Sequence, residues 1–301
     1  MNSNVGQQRS VCDNTAIWEY KRKSSQPMNH KDATPLRFAD TQLTTGVRLH
    51  YAEQGSSAGH PIILLHGYTD SWFSYSRVLP SLSSVYHTYA LDQRGHGDSE
   101  RPSSAYDIPD FAADVVAFMD VMRLTQATLV GHSMGSLVAQ QVALNAPERV
   151  ARLILVGSAT NMRSKDVFQL QQAVNALDDP VPPEFAREFQ LSTIYHSVPD
   201  DFLDRAVAES LKLPARVWRA ALAGQLAVDY TAQINCIQMP TLVLRGDHDT
   251  IFSQSAQDAL VVGLANAVLK VYPETGHALH WERPDEFVHD IEAFIIRTKS
   301  P

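Results

Sequence analysis

The sequence contains little cysteine and no long apolar run. Cys12 and Cys236 are the two cysteines among 301 residues, too few for a disulfide framework or a zinc site. A reduced, cytoplasmic setting is therefore the simplest expectation. The longest apolar stretches, such as residues 62–65, are far shorter than the ~20 residues that a membrane-spanning helix needs. We expect no membrane span.

Positive charge is also scarce. The chain has 25 Lys and Arg against 33 Asp and Glu, a formal net charge of −8. No block of basic residues forms a phosphate-binding stripe, so nucleic acid is not an expected partner. The hydrophobic content of 44% predicts one large globular domain, or one domain with an insertion.

The first 35 residues differ from the rest in composition. Basic residues, serines and Pro27 stand there among few regularly spaced apolar positions. We expect a flexible N-terminal extension. It has no uninterrupted apolar stretch of the kind found in a secretory signal. Whether translation starts at Met28 is left open by the sequence.

From residue 36 onward, short apolar runs alternate with helix-like segments. This pattern predicts an α/β fold with a mostly parallel sheet of about eight strands and helices on both faces. The predicted strands lie at 47–52, 62–65, 88–91, 127–130, 152–156, 241–244 and 268–272. Helical spacing of apolar residues marks 110–122 and 134–145. Between 161 and 234 only helical patterns occur, at 183–191, 200–211 and 214–227, so we expect a core of 36–160 and 235–301 with a helical insertion.

The sharpest local signal is the sequence Gly-His-Ser-Met-Gly at 131–135. It follows a predicted strand and precedes a predicted helix, the context in which G-x-S-x-G places a nucleophile. Two glycines allow the sharp turn, and the strain at Ser133 lifts its hydroxyl clear of the sheet. The sequence therefore predicts Ser133 as a nucleophile.

A serine needs a base to accept its proton, and that base needs an acid to orient it. His277 follows the last predicted strand, so it lies at the same sheet edge as Ser133. His280 is a nearby alternative. Asp247 and Asp249 both follow the strand at 241–244. We favour Asp249, because Asp247 lies nearer the strand end, where Asp commonly caps a turn.

Negative charge on the substrate oxygen requires hydrogen-bond donors. The loop His66-Gly67-Tyr68 follows an early strand in the appropriate position. We expect the backbone N–H groups of Tyr68 and Met134 to form an oxyanion hole, with Gly67 allowing close approach of the chain. His66 is expected to be structural or to contact the substrate.

These motifs together resemble the α/β-hydrolase superfamily. They comprise residues 66–67, 92–99, 131–135, 246–249 and 276–277, and the resemblance extends from about residue 36 to residue 296. It implies the α/β-hydrolase fold, it favours His277 and Asp249 over their neighbours, and it implies that the insertion is a cap. In this superfamily the cap covers the catalytic serine and helps to select the substrate.

The loop at 66–75 is similar to that of epoxide hydrolases and haloalkane dehalogenases, but the nucleophile argues against both activities. Those enzymes use an Asp carboxylate, which gives an ester intermediate that water can cleave. Ser133 would instead form an ether at an sp³ carbon. It suits attack on a carbonyl, so we expect a carboxylesterase-like serine hydrolase that forms an acyl-enzyme.

The expected substrate is a small apolar ester or lactone, and no metal or organic cofactor is required. Candidate substrate-binding residues are His66, Trp72, Phe168, Phe189 and Trp218. Carbon–carbon bond hydrolases and cofactor-free haloperoxidases or perhydrolases share the same three groups and stay open as alternatives. A ligand-sensing receptor with a hydrolase fold is an alternative of another class. A monomer or a homodimer is expected.

Overall fold

The structure is a computed structural model that describes residues 35–298. The predicted N-terminal extension, apart from Pro35, lies outside the described residues, and so does Met28. Within residues 35–298, no helix combines the length and apolar character that crossing a bilayer would require.

The described chain alternates strands and helices. The strands are β1 (Arg37–Gln42), β2 (Arg48–Gly55), β3 (Pro61–Leu65), β4 (His87–Leu91), β5 (Ala127–His132), β6 (Val150–Val156), β7 (Thr241–Gly246) and β8 (Ala267–Tyr272). The α-helices are α1 (Ile108–Val121), α2 (Met134–Asn145), α3 (Lys165–Asn175), α4 (Pro183–Leu191), α5 (Asp200–Ser210), α6 (Ala215–Ala227), α7 (Gln254–Gly263), α8 (Leu279–Glu282) and α9 (Pro284–Arg297).

The eight strands form one sheet in the order β1-β2-β4-β3-β5-β6-β7-β8. β2 pairs antiparallel with β1 and with β4, and every other pairing is parallel. The carboxyl ends of β3, β5, β6, β7 and β8 therefore lie along one edge of the sheet. Open α/β sheets build their ligand sites at this edge.

The central strands are apolar on both faces because helices cover both sides of the sheet. In β3, Ile62 and Leu64 belong to one buried cluster with Ile291 of α9. Ile63 and Leu65 point the other way and join the cluster that includes α1 and α2. Successive strand residues face opposite sides, which explains this division. The predicted α/β-hydrolase fold with a mostly parallel sheet is confirmed.

β1, α3, α7, α8 and α9 were not among the predicted elements. β1 is an edge strand that alternates exposed and half-buried residues, so its apolar content is low. α3 lies in the insertion and carries a mixture of polar and apolar side chains.

The segment 161–234 contains four α-helices, α3 to α6, and leaves and re-enters the sheet at one place. An isolated antiparallel bridge joins Asn161 to Asp229, and the Tyr230 N–H donates to the Thr160 carbonyl at 2.9 Å. Because the two ends are adjacent, the insertion between β6 and β7 leaves the strand pairing of the core intact.

Candidate active site

Ser133 occupies a strained turn between β5 and α2. Its backbone has φ 51° and ψ −116°, a conformation that costs a non-glycine residue about 1–3 kcal/mol. The Ser133 N–H donates to Val156 in the neighbouring strand at 3.0 Å, and the Ser133 carbonyl accepts from Ser136. The neighbouring strand β6 and the first turn of α2 thus hold the serine in its strained conformation.

The glycines of the motif are required by close backbone packing. A Cβ on Gly131 would lie 2.3 Å from the Gly135 carbonyl oxygen, and a Cβ on Gly135 would lie 2.2 Å from the Leu65 carbonyl oxygen. Real Cβ atoms do not approach oxygen so closely. The turn therefore accepts only glycine at both positions, which explains the spacing around Ser133.

His277 and Asp249 are hydrogen-bonded to each other on the loops after β8 and β7. The distance from His277 Nδ1 to Asp249 Oδ2 is 2.9 Å, and both side chains are almost completely buried. Gly157, at φ 49°, leaves the space that the imidazole occupies, because a Cβ there would lie 2.7 Å from His277 Nδ1. The carboxylate bond on Nδ1 leaves Nε2 as the free ring nitrogen.

Asp247 has a different environment from Asp249. Its Oδ1 accepts from the Thr275 N–H and lies 2.7 Å from Nδ1 of the exposed His248. These hydrogen bonds lower the pKa of the Asp247 carboxyl, although partial burial opposes them. Asp247 therefore joins the two loops at the surface, whereas Asp249 contacts the imidazole of His277.

His280 is separated from Asp249 and is fully buried. Its Nε2 lies 3.0 Å from Ser74 Oγ, and its ring packs at 5.0 Å from the ring of Tyr75. Burial, together with His277, lowers its pKa to about 3. His280 is therefore neutral at ordinary pH and is bound to groups beneath the cavity.

Ser133 and His277 open into one cavity of about 310 Å³. The sheet and its loops contribute Gly67, Tyr68, Asp70, His132, Ser133, Thr250, Ile251, His277 and Trp281. The insertion contributes Met162, Asp166, Val167, Leu170, Phe189, Gln190, Ser192, Thr193, Leu222 and Gln225. The cavity thus lies between the carboxyl edge of the sheet and the helical insertion, and its wall is mostly apolar.

Tyr68 and Met134 lie on the two chain segments beside Ser133. Met134 is the first residue of α2, so its N–H is among those that have no partner within the helix. Tyr68 lines the cavity, and its hydroxyl donates to the Trp218 carbonyl at 2.6 Å. This bond fixes the loop after β3 to α6 and so limits the positions that the Tyr68 amide can take.

A family model described as the alpha/beta hydrolase fold matches residues 60–284. The chain belongs to this family. Among its relatives, the non-heme chloroperoxidase of Streptomyces lividans is 28% identical over 273 residues, which are 83% of this chain and 96% of that protein. The 3-oxoadipate enol-lactonase 2 of Acinetobacter baylyi is 25% identical over 264 residues, 87% of this chain and 98% of that protein.

A solved structure is similar over a comparable share of the chain. The esterase RhEst1 from Rhodococcus sp. ECU1013 superposes with a TM-score of 0.77 at 26% identity. The match covers 87% of this chain and 99% of the esterase. The protein is thus an enzyme of the α/β-hydrolase family with esterase, lactonase and haloperoxidase relatives.

Of the five predicted substrate-binding residues of this α/β hydrolase, Phe189 lines the cavity. The other four lie outside the set of lining residues. Phe168 is half exposed on the opposite side of α3, and Trp72 packs on Phe38 with ring centroids 4.8 Å apart. Trp218 is fully buried behind Tyr68 and Phe189, with centroids at 5.5 and 5.8 Å. Trp218 therefore packs behind Tyr68 and Phe189 and does not itself line the cavity.

His66 is also buried behind the site. Its Nδ1 donates to the Gly67 carbonyl at 2.8 Å, and its Nε2 accepts from the Gln93 N–H at 3.1 Å. Burial holds its pKa well below the ordinary value, so the ring is neutral. His66 shapes the loop that carries Tyr68 and has no contact with the cavity.

Eight polar residues of the cavity wall were missing from the predicted site: Asp70, His132, Asp166, Gln190, Ser192, Thr193, Gln225 and Thr250. Asp70 is 5% exposed, and burial raises the pKa of its carboxyl to about 6. Hydrogen bonds from Gln190 and Ser74 oppose that rise. Asp70 lies in the loop after β3, within two residues of Tyr68, so closeness to the predicted oxyanion hole was the one signal that the sequence offered.

Proposed function

We propose that this α/β hydrolase cleaves a carboxylic ester through an acyl-enzyme, with Ser133, His277 and Asp249 as a catalytic triad. The observation that carries the proposal is the placement of the strained Ser133 and the Asp249-bound His277 on one cavity. The esterase and lactonase relatives support the same reaction class.

The first half of the reaction forms the acyl-enzyme. His277 Nε2 takes the proton of Ser133 Oγ as that oxygen attacks the carbonyl carbon of the ester. The Tyr68 and Met134 amides donate hydrogen bonds to the resulting oxyanion. When the tetrahedral intermediate collapses, the C–O bond to the alcohol breaks and His277 passes its proton to the leaving oxygen.

The second half hydrolyses the acyl-enzyme. A water molecule gives a proton to His277 Nε2 and attacks the acyl carbon, and the Ser133 oxygen then leaves and regains its proton. Asp249 stabilises the imidazolium in both halves through the bond on Nδ1. Apart from the water molecule and the ester, every group that these steps use belongs to the chain.

The helical insertion, residues 161–234, is proposed as the cap of the active site. It provides Leu170, Phe189 and Leu222 to a wall opposite Ser133, and these apolar side chains suit the hydrocarbon part of a small ester. A lactone is a cyclic ester and would be opened by the same steps, which agrees with the enol-lactonase relative. A cytoplasmic location and a monomeric or homodimeric state stay predictions.

The nucleophile is tested by the Ser133→Ala variant with p-nitrophenyl butyrate as substrate. We expect kcat to fall by about 10⁴-fold or more, because removing the nucleophile disables the triad as a unit. Ser255→Ala, an exposed position on α7, is the matched control and should retain wild-type turnover. Retention of most activity in Ser133→Ala would refute the assignment. Wild-type turnover below about one per second on every ester and lactone tested would favour a receptor instead.

A further inference from the structure

The proposed mechanism leaves two carboxylates of the cavity unused, and no lysine or arginine of the described cavity wall balances their charge. Asp70 and Asp166 line the cavity, and no Lys or Arg is among the lining residues of the described chain. Asp166 is exposed, whereas Asp70 is 5% exposed. A buried carboxyl in a mostly apolar wall is costly unless hydrogen bonds compensate for the lost water.

The hydrogen bonds of the Asp70 side chain all run toward its carboxyl group. Gln190 Nε2 donates to Oδ1 at 2.9 Å, and Ser74 Oγ donates to Oδ2 at 3.2 Å. Ser74 Oγ itself accepts from Trp281 Nε1 at 2.9 Å. Since the one Ser74 proton is given to Asp70, His280 Nε2 at 3.0 Å must be a donor to Ser74 Oγ as well.

This arrangement supports the ionised form of Asp70. Burial raises the pKa of the carboxyl to about 6, and the Gln190 and Ser74 bonds and the nearby His277 limit the rise. Three other titratable groups surround Asp70. His280 reaches it through Ser74, Tyr75 lies within electrostatic range, and the His132 ring adjoins it beside Gly67. Burial keeps the pKa of both histidines low, so they are neutral and Asp70 carries the negative charge at neutral pH.

A second acceptor belongs to the same cavity. Gln225 lines the wall on α6 and is fully buried. Its Nε2 donates to the Ala221 carbonyl at 3.1 Å, which fixes the orientation of the amide. Its Oε1 has no hydrogen-bond partner among the described residues. A buried acceptor without a partner is expensive, and a ligand donor would satisfy it.

We propose that the cavity selects esters that carry a hydrogen-bond donor away from the scissile carbonyl, received by the Asp70 carboxylate, and that it rejects esters carrying an anion. The inference rests on the proposed esterase function and specifies its substrate class. A hydroxyl group can use the free lone pairs of Asp70. A carboxylate in the same place would meet a like charge in a region that water hardly screens.

The test uses two series of linear esters of equal length. One series consists of methyl esters of acids whose far end is methyl, hydroxyl or carboxylate, and the other of butyrate esters of alcohols with the same three ends. Product formation is followed by chromatography to give kcat/KM. In the series whose variable end reaches Asp70, we expect the hydroxyl ester to exceed the methyl-ended ester by about tenfold, as one hydrogen bond to a charged group allows. The kcat/KM of the carboxylate ester should be about tenfold or more below that of the methyl-ended ester.

Asp70→Asn keeps the shape of the side chain and removes its charge. The penalty on the carboxylate ester should shrink about tenfold in this variant. Asp178→Asn is the matched control, because it removes an exposed charge of the insertion that lies outside the cavity wall and that salt screens, and its effect on the ratio should be within about twofold. Equal effects of the two substitutions would overturn the assignment to Asp70.

The wild-type enzyme provides a test that depends on no variant. A sulfonate-ended ester replaces the carboxylate ester because its charge does not titrate. As the pH falls from about 7.5 to about 5.5, Asp70 takes up a proton, so the sulfonate ester should gain on the methyl-ended ester several-fold. The steps at Ser133 and His277 are common to both substrates, so their contribution cancels in the ratio.

A ratio that stays constant with pH, or a series in which the end group has no effect, would overturn the inference. Neither result would affect the esterase proposal, which fails only if no ester is turned over or if turnover persists in Ser133→Ala.

Discussion

Asp249 is surrounded entirely by hydrogen-bond donors. Its Oδ1 accepts from the backbone N–H groups of Ile251 and Phe252 at 2.9 and 3.0 Å, and its Oδ2 accepts from Gln257 Nε2 at 3.2 Å as well as facing His277. Four donors satisfy a carboxylate but not a carboxamide, whose nitrogen is itself a donor. These hydrogen bonds therefore stabilise the carboxylate form of Asp249, and the carboxylate in turn keeps the proton of His277 on Nδ1.

Asp249→Asn should consequently lower kcat for p-nitrophenyl butyrate by about 10³–10⁴-fold. The amide nitrogen of Asn is a donor and would face another donor. If it faces His277 Nδ1, it favours the tautomer that carries the proton on Nε2, which leaves no lone pair there to accept the proton of Ser133. Asp247→Asn is the matched control on the same loop, and its turnover should stay within about threefold of wild type because its bonds are at the surface. A larger loss of kcat in Asp247→Asn than in Asp249→Asn would show that Asp247, and not Asp249, is the acid that orients His277.

At the residue scale, the sequence could predict those groups whose chemistry and position are both local. Ser133, Asp249 and His277 each follow the end of a strand, so their meeting at one sheet edge follows from the parallel order alone. Asp70 could not be assigned in this way. Its partner Gln190 is 120 positions away on α4, and the burial that shifts its pKa arises only when the insertion folds over the sheet.

At the element scale, the segment after α4 is fastened to both loops that carry the proposed acid and base. Thr250 Oγ1 donates to the Ser192 carbonyl at 3.0 Å, and the Ala278 N–H donates to the Thr193 carbonyl at 2.8 Å. Glu282 adds three bonds. Its Oε1 accepts from Gly276 and Tyr195, at 2.8 and 3.1 Å, and its Oε2 accepts from His196 at 2.8 Å.

Glu282 is therefore a positioning residue for the His277 loop and for the insertion. Glu282→Gln replaces one acceptor oxygen by a donor nitrogen, which should break the bond to His196 and lower kcat/KM about tenfold. Glu286→Gln on α9 is the matched control and should change kcat/KM by less than about twofold, because its ion pairs with Lys270 and Arg283 lie near the surface. Equal activities of the two variants would show that the hydrogen bonds of Glu282 are not needed to position the His277 loop. Rescue by Glu282→Asp would indicate that charge matters more than reach.

The strands that the sequence could predict are those with a strong apolar run, whereas α9 was not predicted although Phe287, Ile291 and Phe294 recur on its buried face. The seven strands buried on one or both faces were found, and α4 was found with its observed bounds. β1 was not predicted because this edge strand, with one exposed face, carries Asp40, Thr41 and Gln42 in place of apolar residues. Its partner is β2, so the strand is defined by a pairing that its own composition does not display.

At the scale of the whole molecule, the insertion and the sheet share one hydrophobic core. The cluster that contains Leu129 and Leu155 of the sheet also contains Phe202, Leu213 and Trp218 of the insertion. Close packing continues to the loop after β4, since a Cβ on Gly95 would lie 3.0 Å from Val217 Cγ1 of α6. An insertion with a separate core would unfold by itself, whereas a shared core couples the two parts.

Leu213→Ala tests this coupling. Leu213 is 1% exposed between α5 and α6, so its truncation should leave a cavity and lower the free energy of unfolding by about 2–5 kcal/mol. We expect one transition in urea at a lower midpoint, with circular dichroism and tryptophan fluorescence coincident, because the loss is shared by the sheet. Leu191→Ala, half exposed at the end of α4, is the matched control and should shift the midpoint little. If the fluorescence change preceded the loss of secondary structure in Leu213→Ala, the insertion would be an independent folding unit, and the cavity between it and the sheet would depend on a weaker association than the shared core implies.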